Sequence, residues 1–172
     1  MEGHAHVEPG DTFGRNVGIL VAMIALVLST CTILAHRSHT DTIIFANKSS
    51  DTWAQYQAKR IRSYQIEMNA GLVKLLAANN PSTETVLAGY EKQSKKYEGD
   101  LEEIKSKAES FEAKEQSEHH KATLFDLAEG LLELAMILSS LYFIAHKKFF
   151  PQLGAVMGIA GLAIGILGLL AH

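Results

Sequence analysis

The sequence predicts an all-α integral membrane protein with three transmembrane helices and a long antiparallel helical hairpin, or stalk, between the first and second spans. Three observations carry this prediction: 47% of the residues are hydrophobic, charge is unevenly spread along the chain, and three apolar segments are long enough to cross a bilayer. A hydrocarbon core of about 30 Å requires roughly 20 apolar residues of helix. The single cysteine, Cys31, lies in the first apolar segment, which excludes a disulfide framework and a multi-cysteine metal site.

Composition divides the chain into five segments. A polar tail is followed by a first span, an extramembrane hairpin, a second span that carries acids and a third span rich in glycine. In chain order these segments are residues 1–16, 17–35, 36–121, 122–146 and 149–171. The turn of the hairpin is expected near residues 79–82, because Pro81 blocks helix continuation there.

Each arm of the hairpin carries a stripe of residues at the spacing of one helical face. The first-arm stripe comprises Ile43, Ala46, Ser50, Trp53, Gln57, Ile61, Tyr64, Met68, Leu72 and Leu75. The second-arm stripe comprises Val86, Tyr90, Tyr97, Leu101, Ile104, Ala108 and Phe111. One hairpin buries only a thin core between such mixed stripes, so pairing with other copies is expected to supply the missing burial.

Three carboxylates interrupt the second span. Asp126, Glu129 and Glu133 fall at i, i+3 and i+7, which places them on one helical face. A single acid at the centre of a span costs about 2.5 to 3.5 kcal/mol on insertion, and no Lys or Arg lies within the spans to neutralise these three. The acids are therefore expected to face other helices, where first-span hydroxyls at the same depth are available as hydrogen-bond partners.

Three interpretations of these acids stay open: a functional one, a structural one and a site shared with an unseen partner. In the functional one, Asp126, Glu129 and Glu133 form a proton or cation pathway with His119 and His120 at its mouth. In the structural one, the same carboxyls make interhelical hydrogen bonds that set register and oligomeric state. The sequence favours the structural interpretation, because no substrate or reaction is indicated elsewhere in the chain.

The third span carries glycines at intervals of four, three, four and three residues. Such a seam lets helix backbones approach closely in lipid, where no hydrophobic effect drives helices together. The helix-packing residues predicted on this basis are Gly154, Gly158, Gly161, Gly165 and Gly168. Together with the stripes of the hairpin, this seam is expected to join copies of the chain in a homo-oligomer.

The hairpin offers weaker signals. Trp53, Tyr56 and Lys59 form an aromatic and basic cluster, which is interpreted as packing with a snorkelling lysine stem. His36 and His39, three residues apart, are interpreted as solvated rather than metal-binding.

No phosphate-binding loop, nucleophile elbow or zinc-protease motif occurs in the sequence. Neither an enzyme, nor a catalytic residue, nor a cofactor, nor a metal site is therefore predicted.

Charge bears on partners and on orientation. The formal net charge is −3, which gives no basic footprint for a nucleic acid. Lys147 and Lys148 in the short turn before the third span, with Arg15, favour a cytoplasmic turn and an extracytoplasmic hairpin. The opposite orientation stays open, because four basic residues flank the spans on the hairpin side: Arg37, Lys48, Lys114 and Lys121.

Three stretches of the sequence are familiar in combination: 36–40 leading to 46–48, 51–59 with its Trp-x-x-Tyr-Gln-Ala-Lys pattern, and His119-His120 leading to 125–129. Together they resemble the bacterial membrane family known as domain of unknown function 4337. The likeness covers nearly the whole chain. It implies a bacterial inner (plasma) membrane location and the same arrangement of spans, and it implies no catalytic role.

The expected function is that of an oligomeric membrane scaffold or an accessory subunit of a membrane assembly. Its expected partners are membrane lipid, further copies of the chain and a larger membrane protein complex. The alternative is a small channel or a proton- or cation-coupled transport element that uses the acids of the second span.

Overall fold

The structure is a computed structural model of the chain and describes residues 12–77 and 80–171. These residues form the helices α1 (Thr12–Leu76), α2 (Thr83–Ser140), α3 (Tyr142–Ala145) and α4 (Phe149–Leu170), and no strand occurs among them. The predicted all-α class is confirmed. Three helical stretches are long and apolar enough to cross a membrane: α1, α2 together with α3, and α4.

The helix ends differ in detail from the predicted segments. Helix α1 begins at Thr12, inside the predicted polar tail, whose first eleven residues lie outside the described part of the chain. Within the predicted turn, the Ser82 backbone N–H donates to the Asn80 Oδ1 at 3.0 Å, and Asn79 is outside the described residues. His146 adopts a left-handed conformation (φ 54°) that ends α3, and its N–H donates to the Tyr142 carbonyl.

The described residues form two compact units. The apolar unit comprises 12–40 and 117–171, and the polar unit comprises 41–116. In the apolar unit, the core is a cluster of small and apolar side chains from α1 and α2: Ile24, Cys31, Ala128, Leu132 and Ala135.

Helix α4 packs in the apolar unit through its backbone. Its buried residues are Pro151 and the five glycines of the predicted seam, at 154, 158, 161, 165 and 168. A Cβ added at Gly161 would lie 2.9 Å from Leu132 Cγ and 3.1 Å from the Ala128 carbonyl oxygen. The large aliphatic side chains of α4, such as Ile159 and Leu169, are exposed instead. The seam is therefore occupied by the chain's own α1 and α2, and it is not free to join separate copies.

The polar unit packs along a different line from the one predicted. The buried residues of its first arm are Ser49, Thr52, Ser63 and Ile66, and Ala108 is buried on α2. Small hydroxyl residues allow the two helices to approach closely. Their hydroxyls can bond to the backbone of their own helix, as Thr52 Oγ1 does by donating to the Lys48 carbonyl at 2.6 Å.

The first-arm stripe is largely exposed, and its prediction as the inner face of the hairpin is wrong. Ile61, Tyr64, Met68 and Leu72 are between 48% and 62% exposed, and Leu75 is 80% exposed. The second-arm stripe is buried or half-buried from Tyr90 onward, and only Val86 is exposed. The sequence therefore identified the inner face of one arm and not of the other.

Three contacts hold the arms of the polar unit together. The rings of Phe45 and Phe111 stack with centroids 6.4 Å apart. Trp53 Nε1 donates to Glu112 Oε1 at 2.7 Å. Lys59 Nζ donates to Asp100 Oδ2, with both side chains about one-third exposed, and this bond lowers the pKa of the Asp100 carboxyl.

We expect Gly154→Ala to destabilise the chain, because the added Cβ would overlap Ser139 Oγ and lie 2.7 Å from the Ala135 carbonyl oxygen. Overpacking of this kind costs about 1 to 3 kcal/mol. The matched control is Gly158→Ala, whose Cβ would meet nothing closer than 3.5 Å. Thermal unfolding in detergent, followed by helical circular dichroism, should show a lower midpoint for the first variant alone. Equal midpoints for the two variants would contradict the packing described for α4.

We expect Asp100→Asn to remove part of the loss of thermal stability that the chain undergoes at acid pH. A carboxyl whose folded pKa is lowered stabilises the fold above its unfolded pKa of about 3.9, and this contribution is lost as the pH falls through the folded value. The thermal midpoint of the parent should therefore exceed that of the variant at pH 7, and the difference should shrink as the pH falls below about 3.9. Glu102→Gln, at an exposed position of α2, is the control and should stay parallel to the parent.

Candidate functional site

The acids of α2 lie in the apolar unit beside α1. Glu129 is half-buried, and its Oε1 lies 2.7 Å from Thr32 Oγ1. Thr32 Oγ1 also lies 3.1 Å from the Leu28 carbonyl oxygen. A hydroxyl has one proton, so Thr32 donates to the Glu129 carboxylate or, when Glu129 is a carboxylic acid that donates to Thr32, to the Leu28 carbonyl. The geometry accommodates both protonation states of Glu129.

Asp126 has a partner that sequence reasoning did not identify. His39 Nε2 lies 3.1 Å from Asp126 Oδ1 and 3.0 Å from Oδ2, and both side chains are about half exposed. The available signal was periodicity, because His39 follows Thr32 by seven residues and so lies on the same side of α1 as that residue. On α2, Asp126 and Glu129 are three residues apart and therefore also lie on one side of their helix.

The two histidines predicted at the mouth of an acid pathway do not reach the acids. His119 and His120 are exposed, and the His119 Nδ1 lies 3.3 Å from Thr123 Oγ1 in its own helix. Among residues 12–77 and 80–171, no group of three or more His, Cys, Asp or Glu side chains has a spacing that suits a metal ion. The structure therefore places His39, rather than His119 or His120, next to the first acid.

Glu133 differs from the other two acids in its lack of a partner. It is exposed, as Asp126 is, but in the described part of the chain its carboxyl has no hydrogen bond or ion pair. The helices of a single chain therefore do not provide the helix contact expected for Glu133. On α1, Ser29 is also exposed and lies one turn before Thr32, as Glu133 lies one turn beyond Glu129.

These polar residues form one continuous surface of the apolar unit. Helical spacing places 29, 32, 36 and 39 on one side of α1, and 126, 129 and 133 on one side of α2. The two contacts described above join the two sides. We call this surface the α1/α2 polar face, and it comprises Ser29, Thr32, His36, His39, Asp126, Glu129 and Glu133.

The aromatic and basic cluster of the polar unit makes structural contacts. Trp53 is bonded to Glu112, and its ring meets Tyr56 edge-on with centroids 5.4 Å apart. Lys59 is bonded to Asp100, as described above. Each of the three predicted cluster residues thus has a partner within the polar unit.

The architecture defines an all-helical protein in which three helices of transmembrane length and composition are accompanied by a polar helical unit. The chain belongs to the family described as a domain of unknown function (DUF4337), whose model matches residues 13–171. Comparison with curated proteins and with solved structures gives no match. Family membership therefore assigns no role to any residue, and the chemistry must be argued from the contacts themselves.

We expect Thr32 and Glu129 to be energetically coupled. A double-mutant cycle of Thr32→Val and Glu129→Leu, measured by unfolding in detergent, should give a coupling of about 0.5 to 2 kcal/mol, as interhelical hydrogen bonds do in membrane proteins. The control cycle replaces Thr32→Val with Thr30→Val, because Thr30 donates to the Leu26 carbonyl of its own helix. The control coupling should be near zero, and equal coupling in the two cycles would contradict the Thr32 contact.

Proposed function

We propose that the chain is an integral membrane protein whose spans are formed by the N-terminal part of α1, by the C-terminal part of α2 with α3, and by α4. The packing of α4 supports insertion. Its buried face is glycine and its exposed face is Leu, Ile and Val, which is the reverse of a helix that packs in water. Small residues inside and large aliphatic residues outside is the arrangement expected where lipid surrounds the helix.

The polar unit is proposed to be the antiparallel hairpin expected from the sequence. Its contacts support this, because Phe45 near the start of the first arm meets Phe111 near the end of the second arm. Further along the first arm, Lys59 meets Asp100, which comes earlier in α2. Contacting residues that come later in the first arm thus come earlier in the second arm. This order indicates that the two arms are antiparallel.

The proposed role is that of a homo-oligomeric scaffold or an accessory subunit of a membrane assembly, without catalytic activity of its own. The observation that carries this role is the exposed first-arm stripe of the polar unit, where apolar side chains of Ile61, Met68 and Leu75 recur at intervals of seven. Contiguous exposed apolar surface of this kind marks an interaction site. A seven-residue repeat is the spacing at which helices pair with one another, so a second copy is the proposed occupant.

The location proposed from the charge pattern is a bacterial inner membrane with the hairpin on the extracytoplasmic side. It rests on Lys147 and Lys148 in the short connection before α4, because short loops dominate the positive-inside rule. Lipid and other proteins of a membrane complex are the further partners proposed.

A second candidate, a small channel or proton-coupled element, is favoured by one observation. The α1/α2 polar face carries three acids through an otherwise apolar unit, and Glu133 on it is exposed. Polar residues within spans frequently line ion or proton pathways. Reconstituted chain that conducts protons, and loses this conductance in Glu129→Gln, would favour the channel over the scaffold.

We expect Met68→Gln combined with Leu72→Gln to weaken self-association of the full chain at least tenfold, because both side chains lie in the exposed stripe. Light scattering in detergent as a function of concentration measures the mass. The control combines Glu67→Gln and Asn69→Gln, which change the neighbouring exposed polar positions and should leave the mass unchanged. A parent chain that is monomeric throughout would contradict the proposed assembly.

A further inference from the structure

We propose that the α1/α2 polar face is the surface on which a second copy of this chain docks within the bilayer, with the Glu133 carboxyls of the two copies meeting at a twofold axis. The inference rests on the proposed membrane insertion and assembly, and it adds the surface, the partner and the residue at its centre. It replaces the glycine seam as the intramembrane contact between copies, since α1 and α2 of the same chain cover that seam.

The first step concerns Glu133, which is exposed near the middle of the apolar segment of α2. Among the described residues no helix covers it, and its carboxyl lacks a hydrogen-bond partner there. In lipid, neither the carboxylate nor the carboxylic acid finds a hydrogen-bond partner, so this position is costly unless another protein surface lies over it. Elsewhere on the apolar unit the large exposed side chains are apolar and compatible with lipid, as at Leu26, Leu134 and Ile159.

The second step concerns what could cover this face. It has a donor edge and an acceptor edge: α1 contributes the Ser29 hydroxyl and the imidazoles of His36 and His39, whereas α2 contributes three carboxyls. A twofold rotation brings the same face of two copies together, because an isologous interface uses the same surface patch on both subunits. A face that carries both hydrogen-bond donors and acceptors can therefore bond to its own copy.

The third step concerns the centre of the interface. No Lys or Arg occurs in residues 17–35, 124–145 or 149–171, so a second copy brings no basic side chain to Glu133 from its spans. Two Glu133 side chains instead satisfy one another by sharing a proton, with the carboxylic acid of one copy donating to the carboxylate of the other. Charge-assisted bonds of this type are short and strong.

The fourth step concerns access. Gly130 lies on the same side of α2 as Glu133, one turn away, and a Cβ added there would meet nothing within 4 Å. In α4, by contrast, the space beside the buried glycines is occupied by neighbouring side chains and backbone. Packing within a single chain therefore does not require glycine at position 130. It leaves room for the α2 helix of the second copy to approach closely.

Disulfide cross-linking of the full chain in membranes tests the proposal. In a Cys31→Ala background, a single cysteine replaces Ile137, one turn beyond Glu133, or Ile159 on the exposed side of α4. The two isoleucines are 54% and 69% exposed. We expect Ile137→Cys to form the linked dimer at least ten times faster than Ile159→Cys. Equal rates, or faster linking at Ile159→Cys, would overturn the proposed face.

Two substitutions at Glu133 then test its role with Ile137→Cys as the reporter. Glu133→Gln retains hydrogen bonding between copies and should keep the linking rate within twofold. Glu133→Lys places two ammonium groups at the axis and should lower the rate at least tenfold, while linking at Ile159→Cys stays unchanged. A rate that Glu133→Lys leaves unaltered would show that Glu133 does not face a second copy.

The mass of the chain separates this inference from the proposed function. An oligomer that is seen by light scattering but does not link at Ile137→Cys means that copies assemble through another face, and only the present inference fails. A monomer in every preparation means that the assembly proposal fails as well. Selective linking at Ile137→Cys in an oligomeric preparation supports both.

Discussion

The close approach of α4 to α2 is the constraint on which the apolar unit depends. At Gly161 and Gly154 the neighbouring atoms of α2 leave no room for a Cβ, so the contact at these two positions requires glycine. Such a contact gains dispersion energy and little from the hydrophobic effect. The large side chains are consequently outside, where only an apolar surrounding is compatible with them.

This constraint also determines the surroundings of the acids. Because α4 covers the side of α2 that carries Phe125, Ala128 and Leu132, the carboxyls lie beside this contact and not within it. Helix α1 supplies partners for two of the three, through Thr32 and His39. The third, Glu133, lies beyond the reach of α1. One packing contact thus explains why the acids differ, although their spacing in the sequence is regular.

The features that could be predicted from the sequence are those that depend on spacing within one helix. The three apolar segments, the glycine seam and the shared face of the acids all follow from local periodicity. The first-arm stripe was misassigned because that arm has two possible contact faces. One is more apolar and passes through Ile61 and Met68, and the other has smaller side chains and passes through Ser49 and Ser63. Hydrophobicity favours the first, whereas close helix approach selects the second. The His39 contact depends on the register between two helices, which periodicity within either helix does not determine.

Each unit, taken by itself, exposes a surface that does not suit its surroundings. The polar unit exposes Ile61, Met68 and Leu75, and the apolar unit exposes Glu133 and Ser29. For the membrane protein proposed above, the apolar stripe requires exclusion of water and the Glu133 carboxyl requires exclusion of lipid. A ligand or lipid would satisfy one surface and leave the other unchanged. A second copy of the chain satisfies both with the same kind of contact, helix against helix. Self-association is therefore the simplest explanation that covers the two observations together.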